Sequence, residues 1–216
     1  MNHKFTFLFS LGTLFALLLS ACGAGGAGGA SSAETTTGAQ TFIARLDGAP
    51  DSARVVIVVE DGKFDAYICS LDDPFNLTTA RWYKGDIDAN GGFQGVSTDG
   101  VTLAGSINNN NFSGTVTNIE GQKFAYEGAA VASGGPAGLY RGVGTYNGEE
   151  VIVGAVMTED GTFASTAQTK GRLEFVSPVA SEPNRLSDAS LAVKIGPDGQ
   201  EVTVDLVTTL KGAQIF

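Results

Sequence analysis

The sequence predicts a nearly all-β domain, an antiparallel meander of about a dozen strands. Three observations support this fold class. Short runs rich in Val, Ile, Phe, Tyr and Thr recur from about residue 41 onwards, and Asp, Asn or Glu followed by Gly separates most of them. No stretch after the N-terminal segment keeps the apolar period of a helix over about eleven residues. The meander either closes into a barrel or roll or forms two packed meanders, because closure depends on strand pairings that a sequence does not display.

Residues 1–21 have the three parts of a secretory signal peptide. Asn2-His3-Lys4 is a short charged start, an apolar run follows it, and small residues precede Cys22. The run is too short to cross a bilayer comfortably. An ordinary signal peptide whose cleavage site contains a cysteine would have the same parts.

The segment Leu19-Ser20-Ala21-Cys22 resembles the lipobox of bacterial lipoproteins. The resemblance implies that the chain is cleaved before Cys22 and that its Sγ atom carries a diacylglycerol through a thioether. Because more than one acyl chain would then enter the bilayer, the anchor would be stable. We therefore expect an exported protein held on a membrane through Cys22, on the outer side of the cytoplasmic membrane or in the outer membrane of a bacterium.

Composition divides the remaining chain into a tether and a domain. Residues 22–40 begin with the cysteine and contain mostly Gly, Ala, Ser and Thr, so they bury too little surface to offset the entropy of ordering. We predict a flexible tether there and an all-β domain over residues 41–216. A division of this domain into two subdomains near 132–138 is one arrangement that the sequence allows.

Charge and residue usage exclude several classes of function. The chain has a formal net charge of −10, and removal of residues 1–21 leaves 12 Lys and Arg against 23 Asp and Glu. An acidic surface repels phosphate backbones, so we expect no nucleic-acid partner. The only histidine, His3, would leave with the signal peptide, which excludes His-dependent nucleophiles and His-ligated zinc. The sequence contains no phosphate-binding or dinucleotide-binding motif, and no cofactor is predicted.

Turn signals mark where one predicted strand ends and the next begins. Asn-Gly and Asp-Gly are such signals because they tolerate the positive φ angles of tight hairpins. The turn signals are Asp61-Gly62, Asn90-Gly91, Asp99-Gly100, Glu120-Gly121, Asn147-Gly148, Asp160-Gly161 and Asp198-Gly199. The predicted strands include 54–60, 63–70, 81–88, 101–107, 112–118, 123–131, 151–158, 173–176, 191–195 and 202–210. Trp82 and Tyr83 lie on opposite faces of one strand, and we expect Tyr83 in the core and Trp82 partly exposed.

A triplet of a bulky apolar residue, any residue and glycine recurs along these strands. The triplets end at Gly85, Gly95, Gly105, Gly114, Gly128, Gly142 and Gly154. Because residues two apart share a strand face, each triplet places a large side chain beside a bare patch of backbone. We predict that large side chains fill the space over the glycines and that the sheet coils sharply. The alternative is a glycine-floored groove for a ligand.

The triplets loosely resemble MORN repeats, most closely over residues 140–148. Stacked MORN units keep a fixed period, whereas the triplet glycines are 9 to 14 residues apart here. A second resemblance, over about residues 55–165, is to a secreted β-domain of uncharacterised bacterial proteins. It is carried by Ala66-Tyr67-Ile68-Cys69, Gly114-Thr115-Val116-Thr117 and Gly138-Leu139-Tyr140-Arg141. This resemblance implies no assigned activity.

A weak calcium candidate lies at Asp86, Asp88 and Asn90. Oxygen-bearing side chains at alternate positions before a glycine form the first half of a calcium loop. Ser97 stands where a bidentate Glu is required, and no flanking helix is predicted. A hairpin with an Asn-Gly turn is therefore the stronger interpretation, and no metal site is predicted with it.

Cys69 is the only cysteine that remains after Cys22 is acylated, so no intramolecular disulfide is possible. Its place in a strand-like run favours a small buried apolar role. An intermolecular disulfide or a metal contact is the alternative.

Three functional hypotheses follow. The preferred one is a non-catalytic, membrane-anchored β-domain that acts as an envelope structural or protein-interaction module. The alternative is a β-barrel that binds a small apolar ligand or lipid in its interior. The third is a glycan hydrolase that uses two carboxylates, although no spacing selects a pair. Its candidate acids are Asp65, Asp86, Asp88, Glu127, Glu149 and Glu150.

Overall fold

The computed structural model describes residues 38–169, 175–176, 183–187, 189–196 and 198–210. The predicted signal peptide, the predicted lipidation site Cys22 and most of the predicted tether lie outside the described residues. The first strand begins at Gln40, one residue before the predicted domain boundary.

The prediction of a nearly all-β fold is confirmed, with fifteen strands and one short helix among the described residues. The elements are β1 Gln40–Leu46, β2 Arg54–Glu60, β3 Lys63–Cys69, α1 Asp73–Thr79, β4 Trp82–Asp86, β5 Gly92–Val96, β6 Thr102–Asn108, β7 Asn111–Thr117, β8 Lys123–Ala130, β9 Gly138–Tyr146, β10 Glu149–Met157, β11 Phe163–Thr169, β12 Phe175–Val176, β13 Asn184–Arg185, β14 Ser190–Ile195 and β15 Gln200–Leu206. The predicted strand 202–210 therefore ends four residues early, and only 175–176 of the predicted strand 173–176 is described.

The predicted turns lie between consecutive antiparallel strands. The glycine of each predicted turn has a positive φ, from 66° at Gly199 to 95° at Gly100. In two of the turns the preceding residue is also left-handed, with φ of 50° at both Asp61 and Asn147. These angles are those that tight hairpins require, which is why the residue pairs located the hairpins correctly.

Strands β1–β8 form one antiparallel sheet that curls into a nearly closed barrel. The strand order is β4-β3-β2-β1-β8-β7-β6-β5, so the first and last strands of the group are paired in the middle of the sheet. In that pairing, Phe42 lies opposite Ala130. The two edge strands, β4 and β5, follow one another in sequence and touch through a single bridge between Ile87 and Phe93. The barrel is thus complete except along the line between its edges.

Aromatic rings fill the barrel interior. Phe42 contacts Phe112 with ring centroids 5.7 Å apart, and Phe112 in turn lies 5.2 Å from Tyr126. A second pair, Phe64 and Phe93, has centroids 5.3 Å apart. All five side chains are buried and belong to one apolar cluster with the inward-facing aliphatic residues.

The triplet glycines make room for these rings, as predicted. A methyl group on Gly95 would lie 2.6 Å from Cδ1 of Tyr83, and one on Gly128 would lie 2.6 Å from Cε1 of Phe112. Real carbon atoms do not approach so closely, so a side chain at either position would displace a ring. At these positions the absence of a side chain on glycine leaves room for an aromatic ring against the curved barrel wall.

Helix α1 was not predicted, and β1, β5, β9, β11 and β13 are not among the strand ranges named from the sequence. Asp72 caps α1 by accepting a hydrogen bond from Phe75 N at 2.8 Å, and Pro74 stands in its first turn. Phe75 packs against Phe124 with ring centroids 5.5 Å apart, which attaches α1 to the barrel core. Within the described residues no helix has the length and apolar character needed to cross a membrane.

The remaining strands form a second antiparallel sheet, a half-barrel of order β12-β11-β10-β9-β15-β14-β13. One face of this sheet has its own apolar cluster, which includes Tyr140, Val153 and Val193. The other face packs on the outside of β2, β3 and β4. The apolar cluster shared by the two sheets contains Val56, Val58, Tyr67, Cys69, Trp82, Leu139, Ile152, Val156 and Ala164.

The second sheet explains why one expectation about the barrel was wrong. Tyr83 is in the core, with 3% of its surface exposed, but Trp82 is only 5% exposed as well. The outer face of β4, which carries Trp82, lies under β10, where a methyl group on Gly154 would lie 2.6 Å from Cζ2 of the indole. The face expected to meet solvent is therefore an interface between two sheets.

Candidate functional site

The line between the barrel edges is the feature most suited to recognition, and we call residues 82–86 and 94–98 the seam. The pairing of β4 with β5 is limited to the bridge between Ile87 and Phe93 and to a hydrogen bond of 2.9 Å from Asp88 N to Gly92 O. Beyond them, the described residues of these two strands form no ladder. Every other neighbouring pair in this sheet is joined by a continuous antiparallel ladder.

Hydrogen-bond alternation identifies the backbone groups of β4 that point into the seam. Ile68 N donates to Arg81 O at 3.0 Å, so the odd-numbered residues of β4 pair with β3. The N–H and C=O groups of the even-numbered residues Trp82, Lys84 and Asp86 consequently point toward β5.

The same alternation applies to β5. Ser97 N donates to Val101 O at 2.9 Å, so the odd-numbered residues of β5 pair with β6. The backbone groups of Gln94 and Val96 face β4. The bridge between Ile87 and Phe93 places Gln94 opposite Asp86 at the paired end, so of these two residues Val96 is the one that lies beyond it. Both side chains are exposed, and Val96 has 61% of its surface in contact with solvent.

An ion pair fastens the end of the seam away from the hairpin. The guanidinium of Arg81, which is 3% exposed, donates from Nε to both carboxylate oxygens of Asp99 at 3.1 Å. The same guanidinium donates to Ala80 O at 2.6 Å and to Leu77 O at 3.2 Å, at the C-terminal end of α1. The hydrogen bonds from Arg81 hold the pKa of Asp99 below its ordinary value of 3.8. The seam is thus closed at both ends and open between them.

Between these two ends lies a cleft of about 270 Å³, lined by residues 81–84 and 95–98. Two buried side-chain atoms of its lining residues, Trp82 Nε1 and Tyr83 Oη, have no hydrogen-bond partner. Burial raises the pKa of the Tyr83 phenol, so it is a neutral donor at physiological pH. A buried donor without a partner costs about 1–3 kcal/mol. Trp82 Nε1 lies with its ring in the apolar cluster between the two sheets and Tyr83 Oη lies in the barrel core, so the two donors are on opposite faces of β4.

The rings on the outer side of the seam are held rigidly. The indole of Trp82 stacks on the Tyr67 ring with centroids 4.0 Å apart and an interplanar angle of 23°. Tyr67 Oη donates to Thr166 O of the second sheet at 3.3 Å. The guanidinium carbon of Arg141 lies 6.0 Å from the Trp82 ring centroid, at the limit of a cation–π contact. One wall of the cleft is therefore preorganised by the contact between the sheets.

A charged cluster lies beside these rings and contains two of the candidate acids. Asp65 is half-buried opposite Lys84, and burial raises its pKa against the opposing charges of Lys84 and Arg141. Burial lowers the pKa of Arg141, whereas the charges of Asp65 and Glu150 act to raise it. The fold thus places Asp65 and Glu150 around one arginine, an arrangement that favours ion pairing over general acid–base chemistry.

The residues of the calcium candidate serve the β4–β5 hairpin. Asp86 Oδ1 lies 2.8 Å from Lys63 Nζ across the strand pair. Asp88 Oδ1 accepts hydrogen bonds from Asn90 N at 2.7 Å and from Gly92 N at 2.9 Å, which is a common way for Asp to stabilise a turn. Among the described residues, no three His, Cys, Asp or Glu side chains stand close enough to hold a metal ion.

The two other candidate acids are not drawn into the seam. Glu127 lies on β8 opposite Arg45 of β1, and Glu149 lies at the start of β10 opposite Tyr146. Asp65 and Glu150 thus share Arg141, whereas Asp86 and Asp88 lie at the β4–β5 hairpin, Glu127 on β8 and Glu149 at the start of β10.

Cys69 is fully buried between the two sheets. Burial raises the pKa of its thiol, with the positive charge of Arg54 acting weakly in the opposite direction. The thiol therefore stays protonated and inaccessible, which fits a packing role.

Comparisons with known proteins give no functional assignment. No protein-family model matches the chain, and no curated protein matches it. One solved structure that matches is described as a "putative AttH" from Nitrosomonas europaea, with 8% identity, a TM-score of 0.23, and coverage of 79% of this chain and 92% of that chain. A TM-score of this size does not establish a shared fold, so the match carries no conclusion about this chain.

Proposed function

We propose that this chain is an exported, lipid-anchored β-domain without catalytic activity that acts as a protein-interaction module at the bacterial envelope. The observation that carries the proposal is the seam. The other neighbouring strands of this sheet are joined by ladders, whereas β4 and β5 are joined by one bridge and flank a cleft of about 270 Å³. An exposed strand edge is a common site for association with another polypeptide.

The chemistry of the described side chains supports a non-catalytic role. The Cys69 thiol is buried and protonated. The Asp88 carboxylate accepts hydrogen bonds from two backbone N–H groups of its own turn. Burial raises the pKa of Asp65, as a general acid needs, but the charges of Asp65 and Glu150 both act on Arg141, which favours ion pairing. If the purified protein nevertheless turned over a panel of peptidoglycan and polysaccharide substrates, this part of the proposal would fail.

Interior binding of a small apolar ligand has less support. The ring pairs of the barrel contact one another across the interior, as in a filled core. Native mass spectrometry of the protein purified from its host would reverse this preference if a lipid or other apolar molecule co-purified in stoichiometric amount.

The anchor is tested by replacing the lipidated cysteine. We expect the wild-type chain to incorporate labelled palmitate and to sediment with membranes. Cys22→Ser should lose the label and move to the soluble exported fraction or stay as an uncleaved precursor. Cys69→Ser provides the control, because that buried thiol should not be acylated. Sedimentation and labelling that survive Cys22→Ser would exclude the proposed anchor.

The interaction role is tested by photo-crosslinking in intact cells. A benzoylphenylalanine residue is introduced at position 96 in the seam and, as a matched control, at position 143 on the second sheet. Val96 and Val143 are 61% and 51% exposed, so both probes reach solvent. We expect a discrete adduct with a second protein at position 96 only. No adduct at position 96, or the same adducts at both positions, would contradict an interaction at the seam.

A further inference from the structure

We propose that the loops at one end of the barrel form a docking surface for a second protein that presents apolar side chains surrounded by Lys and Arg. We call this end the α1 end. It comprises residues 47–53, 70–81, 97–101 and 118–122, which connect β1 to β2, β3 to β4, β5 to β6 and β7 to β8. The inference rests on the proposed interaction role and adds the surface and the class of partner. A second copy of this chain and a membrane are the occupants that would oppose it.

Exposed apolar side chains are concentrated at the α1 end. Six large apolar side chains are exposed among the described residues, and three of them, Leu71, Leu77 and Ile119, belong to this end. A fourth, Val96, is the last residue of β5 and borders it. The described hairpin turns at the other end of the barrel have none. Single exposed apolar residues are ordinary, but their concentration at one end of a domain is typical of a binding surface.

Hydrogen bonds join the segments that carry these side chains. Ile119 N donates to Thr78 O at 3.2 Å, which places the β7–β8 turn against the end of α1. Arg81 Nη2 donates to Leu77 O at 3.2 Å, and the same guanidinium pairs with Asp99 in the turn after β5. The end of α1 therefore contacts the β7–β8 turn directly and is joined to the β5–β6 turn through Arg81, so the three segments form one surface.

Folding does not explain why these exposed positions are apolar. The turn that contains Ile119 is stabilised by Asn118, whose Oδ1 accepts a hydrogen bond from Glu120 N at 3.0 Å. Helix α1 is attached to the core by Phe75, whereas Leu77 lies on its outward face and is 58% exposed. A surface helix normally directs polar residues outward. The apolar side chains of Leu77 and Ile119 are therefore available to a partner without a cost to the fold.

Acidic side chains surround the apolar residues of the α1 end. Arg81 is the one basic residue within its four loops, and it is buried. The loops carry six carboxylates, at Asp47, Asp51, Asp72, Asp73, Asp99 and Glu120. The adjacent strand ends add the basic residues Arg45, which pairs with Asp51, Arg54, which is buried, and Lys123. Because two of the four basic residues are buried, the exposed charge at this end is predominantly negative.

Charge decides between the possible occupants. Two copies of this chain would bring two acidic surfaces together, and like charges across an interface weaken binding. Anionic lipid headgroups are repelled for the same reason. The predicted tether also joins the barrel at its other end, because β1 begins at Gln40 and reaches the α1 end only at Leu46. A protein with Lys and Arg around an apolar centre matches both the charge and the apolar side chains.

The surface is probed by photo-crosslinking of the full chain in intact cells. Benzoylphenylalanine is introduced at position 77 or 119, and at position 186 as the control, because Leu186 is 51% exposed outside the α1 end. We expect an adduct with a second protein at positions 77 and 119 but not at 186. Mass spectrometry of the adduct should place the attachment site in a stretch of the partner that has more Lys and Arg than Asp and Glu.

Charge reversal tests the class of the partner, with the crosslinker kept at position 77. Asp47→Lys combined with Glu120→Lys should lower the adduct yield at least about fivefold. Glu201→Lys, at an exposed site on the second sheet, is the control and should leave the yield within about twofold. Thermal unfolding monitored by circular dichroism establishes that each variant is folded. Should the double reversal fail to fold, Asp47→Asn combined with Glu120→Gln should lower the yield about threefold.

The outcomes distinguish this inference from the proposed function. A protein adduct at position 96 without one at positions 77 and 119 would leave the interaction module standing and overturn the α1 end as its surface. A yield that charge reversal does not change would overturn the basic partner. An adduct with twice the mass of this chain would identify a second copy, and an adduct with a lipid would identify a membrane, and either would overturn the inference. No adduct at any of the three positions would contradict both proposals.

Discussion

At the scale of single residues, Arg81 does the most to define the seam. Its buried guanidinium joins the end of α1, the start of β4 and Asp99 in the turn after β5. A buried charge needs a counter-charge and a full set of acceptors, and Arg81 has both. The distance between the seam edges at this end is therefore set by one ion pair.

The ion pair leads to a prediction about stability and pH. Asp99→Asn should lower the free energy of unfolding by about 2 kcal/mol at neutral pH, because it leaves the Arg81 charge buried without its carboxylate. The folded pKa of Asp99 is depressed, so its contribution is complete above the ordinary pKa of 3.8 and is lost as pH falls through the lower folded pKa. Urea titrations of both proteins at several pH values should begin to converge as pH falls below about 4 and should agree only below the folded pKa of Asp99.

The matched control for this prediction is a second Arg–Asp pair on the surface. Asp51 pairs with Arg45, and their side chains are 95% and 57% exposed. Asp51→Asn should change the free energy of unfolding by less than about 0.5 kcal/mol. Equal effects of the two substitutions would show that burial of Arg81 does not matter.

Gly154 gives a second prediction at this scale. A methyl group there would lie 2.6 Å from Cζ2 of Trp82 and would also overlap the Tyr67 ring. Gly154→Ala should therefore lower the free energy of unfolding by about 1–3 kcal/mol, measured by urea titration. Gly135→Ala is the control, because the nearest atom to its added methyl is 3.8 Å away. A neutral Gly154→Ala would mean that the rings shift without cost.

At the scale of elements, the strands and turns were largely predictable from sequence, and α1 was not. Turn pairs such as Asn147-Gly148 require the left-handed angles observed in the structure, so local sequence determines them. Helix α1 has seven residues, fewer than the window in which a helical period can be recognised. Its only local signals are Asp72 as the N-cap and Pro74 in the first turn, and both also occur in ordinary loops.

The N-cap of α1 can be tested directly. Asp72→Ala should lower the free energy of unfolding by about 1 kcal/mol, because Phe75 N loses its side-chain acceptor at the helix start. Asp72→Ser keeps a capping oxygen and should retain most of that energy. Thermal unfolding of the two variants measures the difference. If Asp72→Ser is as destabilised as Asp72→Ala, the N-cap hydrogen bond does not stabilise α1.

The seam itself was beyond a prediction from sequence. Whether Val96 pairs with β4 depends on how far apart the barrel edges stand, and that distance is set by contacts remote in sequence. The same limit explains the error at Trp82, whose covering strand begins 67 residues later at Glu149. Period-two alternation identified the two faces of β4, but it could not reveal that both faces are covered.

At the scale of the whole molecule, two sheets share one apolar interface. Leu139 and Ile152 of the second sheet pack with Val56 and Trp82 of the barrel in the same cluster. Shared burial of this kind couples the stability of the two parts. The wall of the seam formed by Trp82 therefore depends on the second sheet as well as on the barrel.

This coupling predicts the effect of a substitution at the interface. Leu139→Ala should lower the free energy of unfolding by about 2–5 kcal/mol, because Leu139 is fully buried between the sheets. Unfolding should remain a single transition when followed both by Trp82 fluorescence and by far-ultraviolet circular dichroism. Val143→Ala, at an exposed site on the same strand, is the control and should have little effect. Two separate transitions would mean that the sheets unfold independently.

Hydrogen exchange at adjacent amides of β5 tests the open seam most directly. Gly95 pairs with Leu103 of β6, whereas the N–H of Val96 faces the gap to β4. Exchange measured by NMR should therefore be at least about a hundredfold slower at Gly95 than at Val96 after correction for intrinsic rates. Equal protection of the two amides would contradict the account, because it would mean that β4 and β5 pair in solution and that the barrel has no seam.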